Sequence, residues 1–269
     1  MEEFVKRPEM ESWSYSRTTC FAHCKYEFYL QYILRDDKLY LSEGNYYAEV
    51  GSLVHDILSR VFKGELEPGN SEDVFQKEYP DNVFYMTKQS IMQNTYQKCI
   101  EYFRNLKKNL QWMQNCEVLG VEMEQHFVLQ GYPFVGYIDL LLRDKNDGRI
   151  IIVDHKSAPY PMKKKGGIRK NAEESFASYK KQMYLYCYAV YQQYGEYPKE
   201  IIWNHFKDDG QLARIHFSME EYEETLQWFI DTIRIYETEE AFEPSQEFFY
   251  CYNLCNFRNS CEYKKYGGR

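Results

Sequence analysis

A chain of 269 residues, 44% of them apolar, suits one large domain or two small ones and can bury a sizeable core. Its formal charge of −8 argues against a protein coated with nucleic acid through its overall field, and leaves room for a local basic groove. Residues 1–14, MEEFVKRPEMESWS, lack the apolar run of a secretory signal, and no stretch approaches the ~18 apolar residues of a spanning helix, so a soluble cytoplasmic protein without a membrane partner is expected. In a reducing compartment the eight cysteines read as a metal site plus buried free thiols rather than as disulfides.

Residues 16–34 carry Phe21, Phe28, Ile33 and two cysteines at mixed spacings of three and four, after serines suited to capping, which predicts a helix. Leu53, Ile57, Leu58, Val61 and Phe62 repeat on one face and stop at Gly64, which predicts a second. Residues 71–110 are polar, rich in Tyr, Gln and Lys, and broken at Pro80 and Asp81. They read as the body of a helical cap spanning 65–112. From 117 the period shortens to that of three strands, separated by the turn-forming runs QGYP and DKNDG. A helix then ends at Gly195, residues 199–207 and 211–218 flank DDG as a hairpin, and 219–237 form a last amphipathic helix. This order predicts an α/β (α+β) fold with a central mixed sheet flanked by helices.

The chemistry concentrates among the strands. If the second and third pair around a Lys145–Gly148 loop, Asp139 lies opposite Asp154. Cross-strand Cβ atoms are then about 4.5–5.5 Å apart, and two carboxylates so placed repel unless a cation separates them. Lys156, two residues beyond Asp154, projects from the same face. An isolated D-x-K is more often a surface ion pair, a lone His55 on an apolar helix more often a core histidine, and Tyr186 more often core than site. Their joint presence, with Gly51 and His55 four apart on one helix and Gln182 and Tyr186 four apart on another, is what points to a site.

In this order GSLVH (51–55), GYIDLLL (136–142), IIVDHK (151–156) and QMYLY (182–186) resemble the PD-(D/E)XK nuclease superfamily, specifically its RecB-like branch with AddB-type nucleases and CRISPR-associated RecB-like exonucleases. The resemblance covers nearly the whole chain, as a single domain 1–269 whose tail, 248–269, packs with 14–34. SYSRTTCFAHCKYEFYL matches the family's early serine-rich helix, with Lys25 in place of a proline, and the closing cysteines are spaced C-x3-C-x5-C where the family commonly has C-x2-C-x5-C.

The resemblance implies a metal-dependent DNA exonuclease of repair, recombination, CRISPR adaptation or a mobile element, acting on single strands or DNA ends. Asp139 and Asp154 would bind Mg2+ or Mn2+ together with His55 and the backbone carbonyl of His155. Lys156 would hold the attacking water, Gln182 and Tyr186 would orient the lysine or a phosphate, and Glu124 would support the site. Cys24, Cys251, Cys255 and Cys261 would ligate a 4Fe-4S cluster, with zinc as the alternative and Cys20 a spare. MKKKGGIRK (162–170) is either a mobile basic arm tracking a phosphate backbone or a solvated loop. Two other classes remain at this stage: an inactive module that binds DNA ends, and a metal-thiolate redox or sensing protein.

Overall fold

A computed structural model describes residues 10–35, 46–245, 247–253 and 255–263; residues 1–9 and 264–269, the ends of the expected domain and cysteine tail, lie outside them. In chain order the helices are α1 (Tyr15–His23), α2 (Lys25–Phe28), α3 (Tyr46–Phe62), α4 (Ser71–Asn82), α5 (Gln89–Arg104), α6 (Leu106–Asn109), α7 (Glu173–Tyr194), α8 (Met219–Thr238) and α9 (Phe248–Asn253). The strands are β1 (Cys116–Leu129), β2 (Tyr132–Asp144), β3 (Ile150–Lys156), β4 (Glu200–His205) and β5 (Gln211–His216), and they lie in that order across one sheet. The chain divides into two compact units, one of residues 44–125 and 136–223, the other of 1–43, 126–135 and 224–269.

In the first of these units β2 and β3 are antiparallel and pair Leu140 with Val153 and Arg143 with Ile150, the register expected from the DKNDG turn. The turn is closed where Asp144 N donates to Arg149 O at 3.0 Å and Gly148 N to Asp144 O at 2.8 Å. β3 and β4 are parallel, a pairing that needs a long crossover, and α7 supplies it. β4 and β5 form the expected hairpin, so the sheet is mixed. Leu140, Leu142, Ile151, Val153 and Ile202 bury one face beneath Phe62, Trp112 and Met113. On α3, Val54, Ile57, Leu58 and Val61 pack with Phe75 of α4 and Ile100 and Phe103 of α5, each such side chain contributing roughly 1.5–3 kcal/mol by leaving water. Pro80 does not break α4 but sits in its last turn, where its missing N–H costs one hydrogen bond, and the helix ends two residues later.

In the second unit Ser14 caps α1, its Oγ accepting from Arg17 N at 3.1 Å. The single helix expected over 16–34 is interrupted at Cys24, whose backbone is extended (φ −151°, ψ 104°) and whose Sγ accepts from Glu27 N at 3.4 Å to start α2. Residues 29–34 then widen into a π-helical turn. The aromatic surplus builds this core: Trp13, Phe21, Phe28 and Tyr236 stand with ring centres 5.2–6.0 Å apart. Buried Glu27 ties the closing segment to α2 by accepting from Asn256 N (2.9 Å) and Tyr250 Oη (2.5 Å).

Candidate active site

β3 leaves a dry core at Asp154, His155 and Lys156, and the pleat sends the first and third to one face and the second to the other. The Lys156 Nζ lies 3.0 Å from Asp154 Oδ1, 2.8 Å from its Oδ2, 3.0 Å from Gln182 Oε1 and 4.7 Å from the centre of the Tyr179 ring. Burial alone would discharge this lysine, but Asp154 outweighs it and holds the pKa above the ordinary value. Gln182 also donates from Nε2 to Tyr186 Oη at 3.4 Å. Tyr186 fits only because residue 136 is glycine: a Cβ there would stand 2.4 Å from Tyr186 Cε1.

His155 points the other way. Its ring stacks on Phe62 (centres 5.7 Å apart, 7° between planes) and its Nδ1 accepts from Asn204 Nδ2 at 3.0 Å. Burial pushes its pKa well down, so the imidazole is neutral and structural. Its backbone faces the site: the amide donates to Asp139 Oδ2 at 2.7 Å, and the carbonyl accepts from His55 Nε2 at 3.1 Å.

On the opposite edge of that ring, His55 Nδ1 lies 3.6 Å from Asp139 Oδ2 and 3.5 Å from Glu122 Oε1. Glu122 is the residue missed in sequence. Along β1 buried Phe127 and Leu129 alternate with exposed Glu124, His126 and Val128, which by strict period would set Glu122 on the same face as Glu124. The backbone at Glu122 is left-handed (φ 48°), and such a residue breaks the alternation as a bulge does. Glu124, expected to support the site, is exposed and acts instead on the Tyr137 hydroxyl, whose pKa it raises. Nothing in an E-x-E run marks which glutamate the bulge will turn.

Burial would lower the pKa of His55, but Glu122, Asp139 and Asp154 outweigh it and push it up to about 9. Burial and the neighbouring Asp154 push Asp139 up to about 7, against the opposing pull of His55 and the His155 amide. Among the described residues, His55, Glu122 and Asp139 are the His, Cys, Asp and Glu side chains that gather closely enough for one metal ion. Octahedral ligands at ~2.1 Å stand about 3.0 Å apart when adjacent and 4.2 Å when opposed, and the separations of 3.5 and 3.6 Å from His55 Nδ1 to Glu122 and Asp139 fall in that range. Asp154 is turned to Lys156, whose ammonium lies 3.0 Å from its Oδ1 and 2.8 Å from its Oδ2. A cleft of about 560 Å3 is lined by His55, Glu122, His155 and Lys156, among others. The donor set, two carboxylates and one imidazole nitrogen, suits Mg2+ or Mn2+.

In the second unit, Cys24, Cys251, Cys255 and Cys261 line one cavity, and Cys20 is not among its lining residues. Cys24 Sγ accepts from Glu27 N (3.4 Å) and Ser245 N (3.3 Å), and Cys255 Sγ from Phe257 N (3.4 Å). Burial pushes the Cys255 thiol up to about 12. Zinc would hold its thiolates about 3.8 Å apart, and no three of these thiols gather so closely. Within the basic run, 162–170, Met162 and Ile168 close a small hairpin, with Gly166 and Gly167 both at positive φ, and Lys163, Lys164 and Lys165 exposed.

The profile of the PD-(D/E)XK nuclease superfamily matches residues 12–262. Among solved structures, a "Putative exonuclease" from Eubacterium rectale superposes with a TM-score of 0.55 and 18% identity over 87% of this chain and 84% of that one, a likeness of fold. SSO0001 superposes with a TM-score of 0.40 and 13% identity over 97% of this chain and 90% of that one, too loosely to argue from. No curated protein matches the chain in sequence.

Proposed function

The chain belongs to the PD-(D/E)XK nuclease superfamily, and we propose that it is a RecB-like, divalent-metal-dependent DNA exonuclease of the cytoplasm, acting on single strands or ends. The observation that carries this reading is the convergence of His55 Nδ1, Glu122 and Asp139 beside the cationic Lys156. Similarity in fold to the Eubacterium rectale protein supports the exonuclease class.

In this reading the whole chain is one nuclease domain, with residues 65–112 as a cap. His55, Glu122, Asp139, Asp154 and the His155 carbonyl would hold Mg2+ or Mn2+, which when bound would polarise the scissile phosphate and lower the pKa of the attacking water. Lys156, steered by Asp154 and Gln182, orients that water and offsets charge on the phosphate oxygens. Tyr186 holds Gln182. Cys24, Cys251, Cys255 and Cys261 ligate a 4Fe-4S cluster. Their common cavity and the N–H groups aimed at two of the sulfurs support this, with zinc as the alternative.

The test is hydrolysis of end-labelled single-stranded and duplex oligonucleotides with Mn2+, with Mg2+ and with chelator. Stepwise shortening that requires metal and disappears in Asp139→Ala and Lys156→Ala is expected. Absence of products with either metal, or cleavage indifferent to chelator, overturns the reading. Cuts within a closed single-stranded circle would replace exonuclease by endonuclease.

A further inference from the structure

A second cleft of about 460 Å3 adjoins the first, with Tyr47 and Ser157 contributing to the walls of both. Its other walls include Ser90, Asn94 and Lys98 of α5, with Lys207 and Asp208. The Tyr47 ring, 42% exposed, carries the Lys207 ammonium 5.0 Å from its centre. Lys207 is half-buried and, among the described residues, has no carboxylate at ion-pair distance, whereas Lys98 stands 3.4 Å from Asp208. Asp208 is itself divided, its other oxygen accepting from Tyr160 N at 2.5 Å. The cleft therefore sets the two ammonium groups of Lys98 and Lys207 against the single carboxylate of Asp208, with hydroxyl and amide groups beside an aromatic face, a net positive set that a nucleotide satisfies with its phosphate and its base.

We propose that this second cleft holds the nucleotide adjoining the scissile phosphate of a single DNA strand, with Tyr47 stacking on its base and Lys207, backed by Lys98, taking its phosphate. The proposal rests on the nuclease reading. The shared wall selects a strand over a free nucleotide, since one backbone can pass from the active-site cleft over Tyr47 into the second. A single strand is selected because a base must be released from its partner to lie on a tyrosine face. Burial already presses the Lys207 pKa down, so the ammonium stands partly desolvated before a phosphate arrives.

The experiment measures the anisotropy of a fluorescein-labelled oligothymidylate across a KCl series, with Ca2+ in place of the activating metal, alongside cleavage by the wild type with Mn2+. Each phosphate contact on a single strand contributes about 0.7 to the slope of log K against log salt. Lys207→Gln is expected to weaken binding several-fold and to reduce the slope by about 0.7, and Lys207→Arg to keep it. Tyr47→Ala is expected to weaken binding by about fivefold or more at unchanged slope, because stacking carries no counterion release, and Tyr47→Phe to bind as wild type. A wild type that cleaves while Lys207→Gln and Tyr47→Ala retain its affinity and slope overturns the second cleft alone. A wild type that neither cleaves nor binds overturns the nuclease reading and this proposal together.

Discussion

Glu122 reaches Nδ1 of His55 to 3.5 Å because its own backbone is left-handed, while Glu124, two residues on, stays exposed. Glu122→Gln is therefore expected to cost about 100-fold or more in Mn2+-activated cleavage, and Glu124→Gln less than about threefold. Initial rates across a metal titration decide it. The reverse order would return the supporting role to Glu124.

Asp139 and His55 also set a pH dependence. Asp139 is raised from 3.8 to about 7 and His55 from 6.5 to about 9, so the folded protein holds more protons than the unfolded chain between these limits. Stability contributed by a raised pKa is present below the unfolded value and lost as pH rises through the folded one. Buried His155, whose pKa is lowered, opposes this below about pH 6.5, so the melting temperature of the metal-free protein should fall from about pH 7 to pH 9, and Mn2+, which displaces those protons, should raise it more at pH 8.5 than at pH 6. Calorimetry at both values checks this, and equal shifts would contradict it.

Lys156 and Asp154 form a nearly dry ion pair, with side chains 17% and 8% exposed. Removing one partner strands the other, so Asp154→Ala should cost about 3 kcal/mol of stability as well as activity. The pair Asp154→Asn with Lys156→Met should recover much of the stability and none of the cleavage. Denaturant unfolding beside the oligonucleotide assay separates the two effects.

Gly136 leaves the space that the Tyr186 ring fills. Gly136→Ala should cost about 1–3 kcal/mol through that clash, and adding Tyr186→Leu should relieve most of it. Additive losses in the double-mutant cycle would mean that the two positions do not meet.

If the cysteine cavity holds an iron–sulfur cluster, Cys24→Ser, Cys251→Ser, Cys255→Ser and Cys261→Ser should each remove the brown absorbance of anaerobically purified protein. Each should also lower its melting temperature, because a group bound only by the folded state adds its binding free energy to stability. Cys20→Ser and the core variants Cys99→Ser and Cys187→Ser should keep the spectrum. Iron-free wild type prepared without oxygen would defeat the assignment.

The β2–β3 register was legible in the chain, because turn chemistry at DKNDG and the two-residue period of a strand act within a few residues of one another. The same local rules placed His55 on an apolar helix face, Lys156 beside Asp154, and Gln182 one turn from Tyr186. The helical cysteine segment was legible only in part. Its spacing suits a helix, but Cys24 is extended because its sulfur accepts backbone N–H groups, one of them from Ser245, far away in the chain. Which glutamate turns to His55 depends on one left-handed residue that no propensity announces. The meeting of Tyr47 with Lys207, likewise, was decided by packing between residues the chain holds far apart. Periodicity reports forces between near neighbours, whereas a site assembled from α3, β1, β2, β3 and α7 is set by how their buried faces interlock.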